Sequence, residues 1–248
     1  MANHLQLVQE LVAELGIGGA NNGATVPSTV LGQAGQLYNA VNWIRQAENN
    51  INLMWANWNF LAVEYSEDLT IGSAAVPTHS GTETVNKWDR DSFWLDITET
   101  TAGQLEYMDW TQFRKVILPG STGANNGKPA RITKKRDGTM LLDVPSNATY
   151  TLTGEFWKEP VLLSANDDTP AMPSQYHRII ICEAAIKYGN KEAASEVIQG
   201  FEAEYIYLLD KLEGDQLEGR DYERLSTQDV PIVMGIPGYG DEDSLRGR

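Results

Sequence analysis

The hydrophobic residues of this 248-residue chain change their period twice. They recur at helical spacing up to about residue 60, then gather in short β-branched and aromatic runs broken by Gly, Pro and Asn up to about residue 157. After residue 174 the helical spacing returns. A chain patterned this way is neither all-helical nor all-strand. Its two helical segments, distant in sequence, each carry an apolar stripe that needs a partner, so they are expected to pack on each other and carry the strand-rich stretch as an insertion.

At the N-terminal end, Leu5, Val8, Leu11, Val12 and Leu15 define a helix over residues 3–15 that Gly16 stops. A Gly- and Asn-rich linker over 16–25 follows. From Ser28, beside Pro27, the positions Val30, Ala34, Leu37, Val41, Ile44, Ile51, Trp55 and Trp58 keep a three-four alternation that skips only Glu48, which predicts one long helix over about 28–57. Trp43 and Met54 fall off this stripe and point to a second buried face or a subunit contact. At the other end, Ser174 can cap a helix through Tyr176, Ile179, Ile180 and Ala184. Gly189-Asn190 is expected to break or kink it, and a second helix over 191–213 presents Val197, Phe201, Tyr205, Leu208 and Leu212 on one face.

Between the helical segments, strands are predicted near 61–65, 68–71, 92–97, 105–109, 113–118, 130–136, 139–144 and 149–157. Asp137-Gly138 supplies the backbone angles of a two-residue turn, so 131–144 reads as a hairpin. The expected fold class is therefore α+β: a helical bundle from the N- and C-terminal segments with an inserted antiparallel β-sandwich or small barrel, plus an extended C-terminal tail. The corresponding division is 1–59 with 174–213 for the helical domain, 60–173 for the inserted β-domain and 214–248 for the extension.

Charge narrows the function. The chain holds 34 acidic and 19 basic residues, a net charge of −15, so its surface as a whole repels nucleic acid. The charge is also segregated: from Arg114 to Arg136 there are seven basic residues and no acid. Taken alone, Arg114 and Lys115 read as solvated charges. For the hairpin two readings stand, a solvated loop or a positive rim formed by Arg131, Lys134, Lys135 and Arg136 that meets an acidic surface on another subunit. In the acidic, Gly-rich stretch beyond residue 214, Val230, Pro231, Ile232, Val233, Met234 and Ile236, with Tyr239 nearby, form an apolar patch with no local core to join.

Signals for chemistry are weak. The single cysteine, Cys182, excludes an intramolecular disulfide and fits a reducing compartment. His4, His79 and His177 have no ligand spacing, and no metal or cofactor site is expected. His4 reads as a solvated terminal side chain and His177 as a packing or hydrogen-bonding residue. The Gly cluster over 16–23 follows a helix, whereas a phosphate-binding loop follows a strand. Neither an export signal nor an apolar run of membrane-spanning length is visible, so a soluble protein is expected. Two alternatives to a structural role rest on particular residues. Trp88 and Trp94 on a sandwich face would suit a carbohydrate-binding module, and Asp143 with Glu155 would suit a carboxylate-dependent hydrolase.

Three stretches resemble one family, the head-to-tail adaptor (connector) proteins of tailed bacteriophages. They are residues 41–51 with the Trp-rich exit Trp55-Ala56-Asn57-Trp58-Asn59-Phe60-Leu61; residues 150–163, including Gly154-Glu155-Phe156-Trp157-Lys158-Glu159-Pro160, continued by Asp167-Asp168-Thr169-Pro170-Ala171-Met172-Pro173-Ser174-Gln175-Tyr176-His177; and residues 201–216. The resemblance covers roughly residues 28–216. It implies a non-enzymatic virion protein, assembled in the bacterial host cytoplasm, whose copies, commonly twelve, form a ring beneath the portal protein and contact tail or nozzle proteins. Genomic DNA would pass through that ring without sequence-specific binding. A C-terminal extension for portal attachment maps onto 230–239.

Overall fold

The computed structural model describes residues 2–17, 26–96, 103–121 and 126–217. The first helix, α1 (His4–Leu15), is set by its ends. Asn3 accepts from the Gln6 backbone N–H at 2.9 Å while the Gln6 side chain accepts from the Asn3 N–H at 3.0 Å, a capping box, and Gly16 closes the helix in the left-handed conformation. The second helix, α2 (Gly35–Met54), starts seven residues later than its apolar spacing predicts. Residues 28–34 form a turn instead, pinned by Asn166, whose side-chain oxygen accepts from the Val30 N–H at 2.7 Å and the Thr29 hydroxyl at 3.1 Å. A long-range polar anchor has overridden the local periodicity.

After a 3-10 turn at 59–61, β1 (Ala62–Asp68) begins a strand-rich stretch comprising β2 (Val85–Trp88), β3 (Trp94–Asp96), β4 (Gly103–Gln104), β5 (Glu106–Tyr107), the short helices α3 (Trp110–Val116) and α4 (Leu118–Ser121), β6 (Arg131–Lys134), β7 (Met140–Leu142) and β8 (Thr151–Lys158). The last of these is the organiser. It pairs antiparallel with β1 along its length, from Ala62 opposite Trp157 to Asp68 opposite Thr151, and on its other side with β3 and β2, while β4 extends the sheet from β3. A second sheet has the order β5-β6-β7, with β5 and β6 parallel.

Of the two forms expected for the insertion, a sandwich or a small barrel, no closed barrel is formed among the described residues: the strands divide into these two sheets, and one strand pairing, β5 with β6, departs from the antiparallel expectation. Residues 61–71, read from sequence as two strands, hold the single strand β1. Residues 113–118, read as a strand, instead continue a helix that begins at Trp110 and is anchored by the fully buried Phe113. The hairpin over 131–144 is present, but its turn is a three-residue one. Only Gly138 takes a positive φ, +92°; the Lys135 N–H donates to Thr139 O at 2.8 Å and the Gly138 N–H to Lys135 O at 3.1 Å.

The chain returns to helix through a 3-10 turn at 174–176, followed by α5 (Arg178–Glu192) and α6 (Ser195–Gln216). The expected break at Gly189-Asn190 lies inside α5, which ends at Ala193 in the left-handed conformation. Gly189 has a different role: a Cβ there would meet Ile198 Cγ1 at 2.7 Å, so the missing side chain lets α6 close tightly on α5.

Apolar burial forms two clusters. One joins α1, α2, α5 and α6 with Trp58, Leu61, Leu163 and Met172; the other joins both sheets through Tyr65, Leu95, Leu152 and Phe156 on one side and Ile132, Met140 and Leu142 on the other. Trp157, on β8, packs against the helical cluster although its strand belongs to the sheet. Trp43, off the predicted stripe, is buried within the chain, edge-on to Tyr188 of α5 at 5.6 Å.

Candidate functional site

Beneath the helices lies a polar latch made by the connector between β8 and α5. The connector's Asn166 and Asp168 carbonyls accept from the Leu5 and His4 N–H groups at 3.2 and 2.8 Å, holding the start of α1. The Asp168 carboxylate accepts from the Ala165 and Ser164 backbone N–H groups, both at 2.6 Å, and these bonds hold its pKa below the ordinary aspartate value. His4, expected in solvent, is fully buried with Nδ1 3.2 Å from Ala165 O, and burial lowers its pKa. His177, read from sequence as a packing or hydrogen-bonding residue, is buried with Nε2 3.2 Å from Met172 O.

Two glutamates are also taken out of water. Glu48, the apparent gap in the α2 stripe, is 1 % exposed, and burial pushes its pKa up to about 7 against the opposing hydrogen bond from Asn52 at 3.0 Å. Glu183 accepts from Asn50 at 2.8 Å and lies 3.2 Å from Lys187, with its pKa likewise raised by burial. Near them Cys182 is buried and its thiol is pushed up to about 12, which keeps it protonated and unreactive. Of these contacts, the Asn50–Glu183 hydrogen bond ties α2 to α5.

The cations gather on the strand-rich side. Helix α3 places Arg114 and Lys115, exposed, in its last turn, and the β6–β7 hairpin places Lys134, Lys135 and Arg136 next to it. Two shallow clefts share Trp110, Thr111 and Arg136. One adds Arg114 and Lys115; the other adds Arg90, Tyr107 and the hairpin lysines. Arg90 lies 3.7 Å from Asp109, and its guanidinium stands 4.9 Å from the Tyr107 ring centre. Among the described residues Arg114, Lys115, Lys134 and Arg136 enter no ion pair, and a cation so left is available to a partner. Arg131, predicted with the hairpin group, also pairs with Glu106 of the neighbouring strand at 2.9 Å.

Sequence reasoning singled out the hairpin cations but not Arg90, Tyr107 and Trp110, which line the same clefts, and it treated Arg114 and Lys115 as separate solvated charges. The strand assigned to 113–118 concealed the connection, because a helix there turns both residues beside the hairpin tip. Val230, Pro231, Ile232, Val233, Met234, Ile236 and Tyr239 lie outside the described residues.

The residues invoked for the two alternatives are placed as follows. Trp88 is 9 % exposed and packs against Tyr65, Phe93 and Phe156, and what remains of its surface lines two clefts, one with Lys87 and Trp157 and one with Val76 and Met140; Trp94 is 43 % exposed. Asp143 accepts from the Ala130 and Val144 N–H groups, both at 3.1 Å, just after β7, while Glu155 lies in the other sheet opposite Glu64. His79 lies 3.9 Å from Glu67 and 3.4 Å from Glu83, edge-on to Phe156 at 5.1 Å. Among the described residues no group of three or more His, Cys, Asp or Glu side chains is arranged to hold a metal ion, and no helix is long and apolar enough to cross a membrane.

The family model described as SU10 adaptor protein matches residues 3–230, from the first turn of α1 to beyond the end of α6. No curated protein matches the chain.

Proposed function

The chain belongs to the SU10 adaptor protein family, a family of bacteriophage structural proteins, and from that premise we propose that it is a ring-forming head-tail adaptor that joins the portal protein to the tail. The observation that carries this reading is the extent of the family match, which takes in both helical segments and the strand-rich stretch between them. In this reading the protein is a non-enzymatic component of the virion, its copies, twelve in number, surround a channel, and genomic DNA passes through without sequence-specific contact. The net charge of −15 supports that passage, since a predominantly acidic wall offers a polyanion little to grip.

The domain division we propose assigns 1–59 and 174–213 to a helical unit, 60–173 to the inserted β-unit and 214–248 to the extension. The separate apolar clusters of helices and sheets support it. The extension reaches the portal through Val230 to Tyr239, whose short apolar run suits addition to a sheet edge or occupation of a groove. Lys134, Lys135 and Arg136 face a partner carrying acidic groups.

Electron micrographs of the protein mixed with portal test the assignment. Circular collars seated on the portal are expected. A chain that stays dispersed beside its portal, together with particles that lack it, would overturn the reading.

A further inference from the structure

The cationic face described above is also partly apolar. Trp110 lines both of its clefts, and Val116, on the same short helix, is 68 % exposed. A second surface of the molecule has the opposite charge and the same apolar content. Along the outer side of α6, Glu202, Ile206 and Asp210 follow one another at four-residue spacing and are all exposed, with Glu196 and Tyr207 on the same side. Ile206 is 58 % and Tyr207 57 % exposed, and the Lys211 ammonium lies 4.5 Å from the Tyr207 ring centre. Large apolar side chains placed among acids on one face, and among bases on the other, are mutually complementary in both respects.

We propose that these two surfaces are the halves of one interface, in which the α3 and β6–β7 hairpin face of one copy docks on the outer side of α6 of a second copy. The inference rests on the ring-forming reading and names the contact that would build the ring. Because the two patches differ, the contact is head-to-tail, the kind that leaves each copy with its other half still usable and so closes into a ring when the rotation permits. Residues 114–136 hold seven of the chain's 19 basic residues and none of its 34 acidic ones, which leaves the remainder at −22. A second copy therefore presents a strongly negative body to the cationic face. A nucleic acid would answer the cations too, but it would set its own charge against that same body and leave Val116, Ile206 and Tyr207 in water.

Charge exchange tests the pairing. Full-length chains carrying Lys135→Glu with Arg136→Glu, or Glu202→Lys with Asp210→Lys, are each expected to self-associate about tenfold more weakly at low salt, measured by sedimentation with and without portal. All four changes in one chain are expected to restore association, as is an equal mixture of the two double variants. Recovery separates a lost contact from a lost fold. Undiminished association in either double variant, no recovery in the combined chain, or no association of the wild-type chain in either condition would overturn the proposal. So would a fluorescent DNA duplex that binds the wild-type chain and is released by Lys135→Glu with Arg136→Glu while self-association persists. Virion content keeps the two readings apart: collars on particles that survive both charge reversals sink this interface alone, whereas particles without the protein sink the adaptor assignment.

Discussion

Glu48 illustrates how a single side chain can make stability depend on pH. Its carboxyl is buried, and its pKa rises from the ordinary 4.5 to about 7 in the folded state. The folded protein therefore holds this proton over a range in which the unfolded chain has released it. The associated stability is complete below pH 4.5 and is lost as pH rises through about 7, by at most about 3 kcal/mol. Glu48→Gln, which keeps the shape and the Asn52 contact, is expected to flatten this dependence and raise stability above neutrality, as read from denaturant midpoints on both sides of the window. Asn166 works differently, by accepting two hydrogen bonds from the turn that precedes α2. Asn166→Ala leaves the part-buried Val30 N–H and Thr29 hydroxyl without that acceptor and is expected to cost about 1–3 kcal/mol in thermal or denaturant unfolding. Neither role is visible in the sequence. Glu48 looks like an interruption of an apolar stripe, and Asn166 lies 136 residues from the backbone group it holds.

Among the elements, those that declare themselves in sequence carry their own start and stop signals. Helix α1 is legible because Asn3, Gln6 and Gly16 specify its ends locally, and the hairpin because Gly138 supplies a positive φ beside Asp137. The start of α2 and the whole of α3 are not legible, since Asn166 decides the first from a distance and burial of Phe113 decides the second against a β-branched pattern. The cationic face inherits this: its hairpin half was readable, and its helical half was not. The contact between α5 and α6 makes a further prediction. Gly189→Ala would drive a methyl group against Ile198, and about 1–3 kcal/mol of destabilisation is expected, with partial recovery when Ile198→Ala makes room. A Gly189→Ala chain that unfolds with the wild-type midpoint would show that α6 is not held so closely.

For the molecule as a whole, the two apolar clusters approach at the end of β8, where Trp157, still paired within the sheet, packs its side chain on the helical cluster. The family match continues to residue 230, past the helices that close the helical cluster. We expect truncation after Ser226 to preserve the thermal unfolding of the body and to weaken binding to the portal. Equal binding by the truncated and full chains, measured by co-sedimentation with portal, would remove 230–239 from that role.

The position of β8 in the chain has a consequence for synthesis. All three strands it pairs with directly, β1, β2 and β3, lie N-terminal to it, and β1 waits from residue 62 for partners that begin at 151. On the ribosome the sheet has no central strand until more than half of the polypeptide has been made, and the early helices wait longer still for α5 and α6. Loops of this span close slowly. The nascent protein therefore elongates from residue 68 to 158 with an unpaired β1 and for longer still with uncovered helix faces, and its collapse is concentrated into the last stretch of elongation and the moments after release.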